Sequence, residues 1–151
     1  MGARENDLNP DVSIGLELPL GNSKTGFFTQ TKTTIKQAQH NITNLIKTIP
    51  GERLGQPTFG STLHHLLFEP MTDDLDERVK DEIKTSINTW LTYITIKKIN
   101  VAHPEGNPNQ VNVSIQFGLS FDPTSMEQVS IDFEQFESAV QSGDVDSFST
   151  F

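Results

Sequence analysis

Two carboxylates, Glu52 and Glu69, are the residues whose type and spacing come closest to a catalytic arrangement. Glycoside hydrolysis uses two acids about 5 to 10 Å apart across a cleft, one of them with a raised pKa. Each carboxylate also has a structural interpretation. Glu52 and Arg53 adjoin a Pro-Gly turn, where charged groups commonly bind loop backbone or pair with each other. Glu69 precedes Pro70 at a predicted helix end, and we favour a structural or interface role for both acids.

The other residues that could carry chemistry form no recognisable site. The four histidines have no metal-ligand spacing, and on a helix the side chains of the adjacent pair would diverge by about 100°. The chain has no cysteine, no nucleophile elbow, no P-loop and no Gly-rich dinucleotide turn. We therefore expect no metal, no cofactor and no catalytic residue. The histidines are His40, His64, His65 and His103.

The most informative segment of the chain runs from Ile49 to Pro70. Its Pro50-Gly51 pair ends a helix, and a further proline and glycine shape a turn before an apolar helix that Ser61 can cap. We name residues 50–60 the elbow. Local physical chemistry predicts that the elbow is a rigid, specifically shaped connection between two helices.

Apolar residues at spacings of three and four predict three helices around the elbow. The first covers about residues 32–49, and the second is a short helix after Ser61 that Pro70 ends. The third begins near Thr72 to Asp74, where capping residues precede acids that suit a helix N-terminus. The expected buried stripes are Ile35, Ala38, Ile42, Leu45, Ile46 and Ile49, then Leu63, Leu66 and Leu67, then Leu75, Val79, Ile83, Ile87, Trp90, Leu91 and Ile94.

Alternating apolar and polar residues predict strands on both sides of these helices. One strand is expected over residues 12–20, ending at the non-donating Pro19. Three more are expected around residues 94–101, 111–121 and 129–133, with a bulge or late helix end at Lys97-Lys98 and a turn at residues 122–125. The fold class is α+β, with a mainly antiparallel sheet of about three to four strands packed against three helices.

The expected domain is flanked by two polar ends. Residues 1–11 are expected to be a flexible N-terminus, residues 12–133 the folded domain, and residues 134–151 an acidic C-terminal tail. The phenylalanines are expected to fall into two groups, one in the core of the domain and one outside it. Those expected in the core are Phe59, Phe68, Phe117, Phe121 and Phe133; those expected to anchor a partner are Phe27, Phe28, Phe148 and Phe151.

Charge and composition exclude several classes of partner. A net charge of −9 argues against nucleic acid as the main partner, and no apolar run is long enough for a membrane span. The lack of cysteine fits assembly in a reducing cytoplasm. All eleven Lys and Arg lie in residues 1–98, whereas residues 99–151 hold eight acids and no Lys or Arg. This asymmetry is explained either by solvated surface or by charge-steered docking onto other proteins.

The elbow and the residues after it form one pattern: Gly51-Glu52-Arg53, then Pro57, Phe59 and Gly60, then Leu63, and finally Leu67-Phe68-Glu69-Pro70. This pattern resembles the signature of the baseplate wedge proteins of contractile phage tails. That family is shared with baseplate subunits of type VI secretion and tailocin machines. The resemblance covers about residues 12–133. Gly55-Gln56 and Met71 depart from residues often found at those positions in the family.

The resemblance implies a non-enzymatic, structural role in the inner baseplate, in six copies around the tail tube. It implies that the chain is assembled in the host cytoplasm and resides in the virion. The sheet would provide a platform on which sheath protein adds a strand, and the tube or hub is a further candidate partner. The residues expected to dock other wedge proteins are Glu52, Arg53, Pro57, Phe59, Gly60, Phe68, Glu69 and Pro70.

Two other functions stay open at this stage. Some family members carry a lysozyme label, so a small cell-wall hydrolase is one alternative, and a muralytic assay of the wild type, Glu52→Gln and Glu69→Gln separates it. A regulator built on the same fold is the other, because fold does not fix function. A pull-down from lysate that recovers a regulator's target in place of tail proteins would identify it.

Overall fold

The computed structural model describes residues 3–17, 20–22, 28–67, 69, 72, 74–105 and 110–134. Several expectations fall outside these ranges and stay predictions. They concern Leu18 and Pro19 of the first expected strand, Phe27, Phe68, Pro70, and the tail after residue 134 with Phe148 and Phe151.

Three helices lie where the sequence predicts them. They are α2 at Thr34–Lys47, α3 at Leu63–Leu67 and α4 at Leu75–Trp90. The structure adds a short helix, α1, at Ala3–Asp7. Asp7 Oδ1 accepts hydrogen bonds from the backbone N–H and the hydroxyl of Thr34, both at 2.8 Å. Since the N-cap residue Thr33 makes no side-chain capping bond, Asp7 caps α2 from a segment far away in sequence.

A three-stranded antiparallel sheet follows the helices. Its strands are β3 at Ile94–Ala102, β4 at Gln110–Leu119 and β5 at Asp122–Glu134, in the spatial order β3-β4-β5. The register between β3 and β4 shifts between Ile96 and Lys98, so of the two alternatives predicted there, a bulge or a late helix end, the structure shows the bulge. The α+β fold class is also confirmed.

The first expected strand does not join this sheet. Only Gly15–Leu16 is extended as β1, and it pairs with β2, Gln30–Thr31, in a separate two-stranded sheet. Gly15 lies directly against the side-chain amide of Gln37 in α2. The Thr31 hydroxyl donates a hydrogen bond to Oε1 of the same Gln37 amide. These contacts hold β1 and β2 against α2. The alternation of apolar and polar residues predicted the extended backbone of β1 but not the strand with which it pairs.

The hairpin between β4 and β5 turns earlier than expected. The chain reverses at Ser120 and Phe121, and Asp122 already pairs with Leu119 as the first residue of β5. The Ser120 N–H donates to the Tyr93 carbonyl at 2.9 Å, which fixes the end of β4. Phe121 therefore sits at the turn and is 42% exposed, so its assignment to the core was wrong.

The core lies between the inward face of the sheet and the helices. Helix α2 contacts β5, α4 contacts β3, and α2 and α4 contact each other. Phe117 and Phe133 are buried there as predicted, and Phe59 packs partly buried against the same cluster. The largest fully buried side chains are Phe117, Ile42, Leu45, Ile46, Leu63, Ile83, Ile87, Ile115 and Ile131.

Candidate functional site: the elbow and its supports

The elbow is closed by backbone hydrogen bonds, one within it and one between the residues that flank it. The Gly51 N–H donates to the Pro57 carbonyl at 2.7 Å, and the Ser61 N–H donates to the Thr48 carbonyl at 2.9 Å. Gly51 and Gly60 have φ values of +102° and +134°, a region that favours glycine. The Pro and Gly positions read from the sequence thus form one tightly closed loop.

Glu52 serves the backbone of this loop. Its Oε2 accepts the Ile49 N–H at 3.0 Å, and its own N–H donates to the Ile49 carbonyl at 3.1 Å. Both bonds lie just beyond the C-terminus of α2, where the chain no longer makes the regular hydrogen bonds of the helix. The carboxylate therefore satisfies the Ile49 N–H just after α2, one of the two structural roles expected for it.

Arg53 lies over the ring of Phe59, which itself contacts a second aromatic ring. Its guanidinium carbon lies 4.8 Å from the centroid of the Phe59 ring, in cation–π geometry. The Phe59 ring in turn meets Trp90 of α4 edge-on, with centroids 5.4 Å apart and an interplanar angle of 67°. This stack attaches the elbow to the end of α4.

The tip of the elbow faces solvent. Leu54 is 100% exposed, and its neighbours Arg53 and Gly55 are exposed as well. Gln56, Pro57 and Thr58 continue the exposed surface. A rigid loop thus presents an apolar side chain outward, and nothing in the sequence pattern had drawn attention to Leu54.

The support beneath the elbow depends on Glu82 of α4, which no sequence pattern had indicated. One carboxylate oxygen of Glu82 accepts the Thr62 N–H at 2.9 Å and the hydroxyls of Ser86 at 3.2 Å and Ser61 at 3.4 Å. Ser61 is buried and its hydroxyl accepts the Leu63 N–H at 3.2 Å, which confirms the predicted cap. Desolvation alone would raise the pKa of Glu82, but the hydrogen bonds from Thr62, Ser86 and Ser61 outweigh it and hold the pKa below its usual value.

We expect Glu82→Ala to destabilise the domain by about 1 to 2 kcal/mol, because Thr62 and Ser61 lose their acceptor at the start of α3. Glu82→Gln, which keeps an acceptor oxygen, should lose less. Since the folded-state pKa is lowered, the stabilisation by the charged form is present above pH 4.5 and declines as the pH falls through the folded-state pKa. Urea unfolding of both variants at neutral and acid pH measures this. A wild-type advantage over Glu82→Gln that grows with acidity would contradict it.

Glu69 is bound to α4 and not to the elbow. Its two carboxylate oxygens take the guanidinium of Arg78 in a bidentate pair, with Arg78 Nη2 to Glu69 Oε1 at 3.2 Å. The Arg78 hydrogen bonds lower the pKa of Glu69. A general acid in glycoside hydrolysis needs the opposite shift. The pair joins the chain after α3 to α4.

Those predicted site residues that the structure describes therefore lie in two places. Five of them, Glu52, Arg53, Pro57, Phe59 and Gly60, lie together in the elbow, whereas the described contacts of Glu69 lead to Arg78. Within the described part of the chain, no three His, Cys, Asp or Glu side chains are grouped so that they could hold a metal ion. The arrangement suits shape-specific docking, which requires rigid backbone and an exposed apolar contact.

A sequence model of a protein family, described as baseplate wedge protein gp25, matches residues 32–124. The match spans more than half of the chain, including the elbow, α2 to α4, β3 and β4. The chain belongs to this family. It is a structural component of a contractile-tail baseplate, as the elbow motif had indicated. No curated protein matches the sequence at a significant level.

Solved structures share the fold of this family member at low sequence identity. A protein of Geobacter sulfurreducens, described as a proposed tail lysozyme, is 18% identical with a TM-score of 0.65, over 72% of this chain and 97% of that one. A chain of the six-fold symmetrised baseplate of the anti-feeding prophage is 21% identical with a TM-score of 0.62, over 70% and 83%. A chain of the postcontracted pyocin R2 baseplate is 19% identical with a TM-score of 0.51, over 67% and 98%.

Among the helices that the structure describes, none combines the length and the hydropathy needed to cross a bilayer.

Proposed function

We propose that this chain joins other baseplate wedge proteins through the elbow and that its three-stranded sheet is the platform on which the first sheath subunits add. In this role the chain is non-enzymatic and present in six copies. The main support is the fully exposed Leu54 on a loop whose backbone is closed and whose base is attached to α4.

Rigidity makes the elbow a good docking element. A loop that is already ordered loses little conformational entropy on binding, so more of the contact energy appears as affinity. Arginine is among the side chains that most often dominate the energy of an interface, and the burial of an exposed apolar side chain adds a hydrophobic contribution. The ring-stacked Arg53 and the exposed Leu54 supply these two contacts side by side.

The sheet supports the second half of the proposal. Strands β3 and β5 are the outer strands of the described sheet, and an outer strand offers main-chain groups to an extended segment of a neighbour. Six copies agree with the six-fold symmetry applied to the anti-feeding prophage baseplate, whose chain shares this fold. The tail tube or hub is a further candidate neighbour.

A hydrolase is less well supported. Glu52 is engaged with the backbone of Ile49, and Glu69 is engaged with Arg78, which lowers the pKa of Glu69. A glycosidase acid requires a carboxyl that can reach the substrate and has a raised pKa, and the shift of Glu69 is in the opposite direction. The lysozyme description of the Geobacter protein therefore has no counterpart in these two side chains.

We expect Leu54→Asp to leave the domain folded and to reduce its incorporation into wedge complexes at least about tenfold, because a charge replaces an apolar anchor. Co-purification with the wedge proteins of the same particle measures incorporation. Leu8→Asp is the matched control, since Leu8 is 85% exposed but lies at the end of α1. Equal incorporation of the Leu54→Asp variant and wild type would show that the elbow tip is not the docking surface.

A further inference from the structure

An open groove of about 530 Å³ lies between α4 and the outer strand β3. Four lysines line it, two from each element: Lys80 and Lys84 from α4, and Lys97 and Lys98 from β3. We name it the basic groove. Among the described residues no carboxylate lines it, although the chain as a whole carries a net charge of −9. Four positive side chains thus meet at one place on an acidic protein.

Three lysines of the basic groove, Lys84, Lys97 and Lys98, are exposed, and Lys80 is half-buried. Lys84 makes one exposed ion pair, with Asp81 at 3.5 Å, on the same helix. Lys97 and Lys98 are exposed and lie at the bulge, where Lys97 is the residue left out of register with β4. A bulge strengthens the local twist and redirects side chains. Here it places two consecutive lysines beside the outer edge of β3.

The two outer strands of the sheet differ in how they are covered. At β5, Gln39 of α2 donates to the Gln128 carbonyl at 3.2 Å, and Lys36 pairs with Glu127 at 3.5 Å. Helix α2 thereby occupies main-chain and charged groups of β5. An open groove of about 380 Å³ lies between α2 and β5, and Glu17 is among its lining residues. At β3, the space beside the strand is the basic groove, whose charged lining residues are all lysines. An acidic strand is therefore better matched to β3.

We infer that the basic groove binds an acidic segment in extended conformation, supplied by a sheath subunit, as a fourth strand beside β3. Main-chain hydrogen bonds to β3 would fix the register of the segment, and carboxylates on it would face the four lysines. This inference rests on the proposed sheet platform and adds which edge is used and the charge of the partner.

The binding experiment uses a short synthetic peptide in which valine alternates with glutamate, titrated into the full chain. Fluorescence anisotropy gives the affinity, and amide hydrogen exchange shows which strand gains protection. We expect protection in β3 and weaker binding as salt rises. The same peptide with lysine in place of glutamate should bind at least about tenfold more weakly. A glutamate peptide with N-methylated alternate amides should also bind more weakly, since it cannot complete the ladder.

Variants of the chain test the same inference from the other side. Lys97→Glu/Lys98→Glu should weaken binding of the glutamate peptide at least about tenfold, and Lys97→Gln/Lys98→Gln by less. The matched control is Lys32→Glu/Lys47→Glu, an equal charge change outside the groove, which should stay within about twofold of wild type. Circular dichroism verifies folding; if the glutamate variant unfolds, the glutamine variant decides.

Several outcomes would overturn the inference. They are equal affinity for the glutamate and lysine peptides, indifference to the groove substitutions, or protection of β5 in place of β3. Protection of β5 would leave the proposed platform standing and reject only the choice of edge and charge. If no extended peptide protects either outer strand, both the inference and the proposed platform fail.

Discussion

Replacing Gly60 by alanine should destabilise the domain by about 3 kcal/mol or more. A Cβ at this position would lie 2.5 Å from the Thr48 carbonyl oxygen and 2.9 Å from the Pro50 nitrogen. Both are backbone atoms and cannot rotate away, and φ at +134° is itself strained for alanine. The loop would have to open where α2 ends. Urea unfolding of Gly60→Ala against wild type measures the loss.

The elbow contains its own controls for this prediction. Gly51 has φ at +102° but open space where a Cβ would stand, so Gly51→Ala should cost only about 1 to 2 kcal/mol. Gly55 has neither constraint and is exposed, so Gly55→Ala should stay within about 0.5 kcal/mol. Equal stability of the Gly60→Ala and Gly55→Ala variants would show that close backbone approach does not shape the elbow.

Phe117→Ala should destabilise the domain by about 3 to 5 kcal/mol, because it removes a large side chain and leaves a cavity. Phe117 is 0% exposed and belongs to the inward face of the central strand β4, between the partners β3 and β5. Its neighbours on that face are Ile115 and Leu119, both buried. Thermal and urea unfolding measure the change in the free energy of unfolding.

Phe121→Ala is the matched control for Phe117→Ala. Both phenylalanines fall on the same phase of the alternating pattern, yet Phe121 sits at the β4–β5 turn and is 42% exposed. We expect Phe121→Ala to cost less than about 1 kcal/mol. Comparable losses in the two variants would mean that Phe121 packs into the core after all.

The sequence predicted individual helices and turns well, because the patterns that indicate them involve residues close together in the chain. The apolar stripe of α2 and the Pro50-Gly51 pair predicted its extent to within two residues at each end. The phase slip at Lys97-Lys98 predicted a bulge or a late helix end, and the structure has the bulge, where one extra residue breaks the two-residue period. The Ser61 cap was also recognisable, because a hydroxyl before an apolar helix has few other roles.

Contacts between segments that are far apart in the sequence could not be predicted from such patterns. Glu82, the acceptor beneath the elbow, lies among the charged residues of α4, outside the apolar stripe that the sequence pattern shows. Only the folded structure places it next to Thr62 and Ser61. Asp7 caps α2 for the same reason. The candidate site shows the same division, since its glycines and prolines were predictable whereas Trp90 and Arg78 were not.

By itself the sequence determined the three main helices, the strands of the larger sheet, the shape-giving residues of the elbow and the family, because these depend on periodicity and on residues with restricted backbone angles. The tertiary structure alone decided that residues 15–16 pair with β2, that Leu54 is the exposed tip, and that four lysines meet beside β3. Each of these depends on which surfaces come together, and that is set by the packing of the whole core.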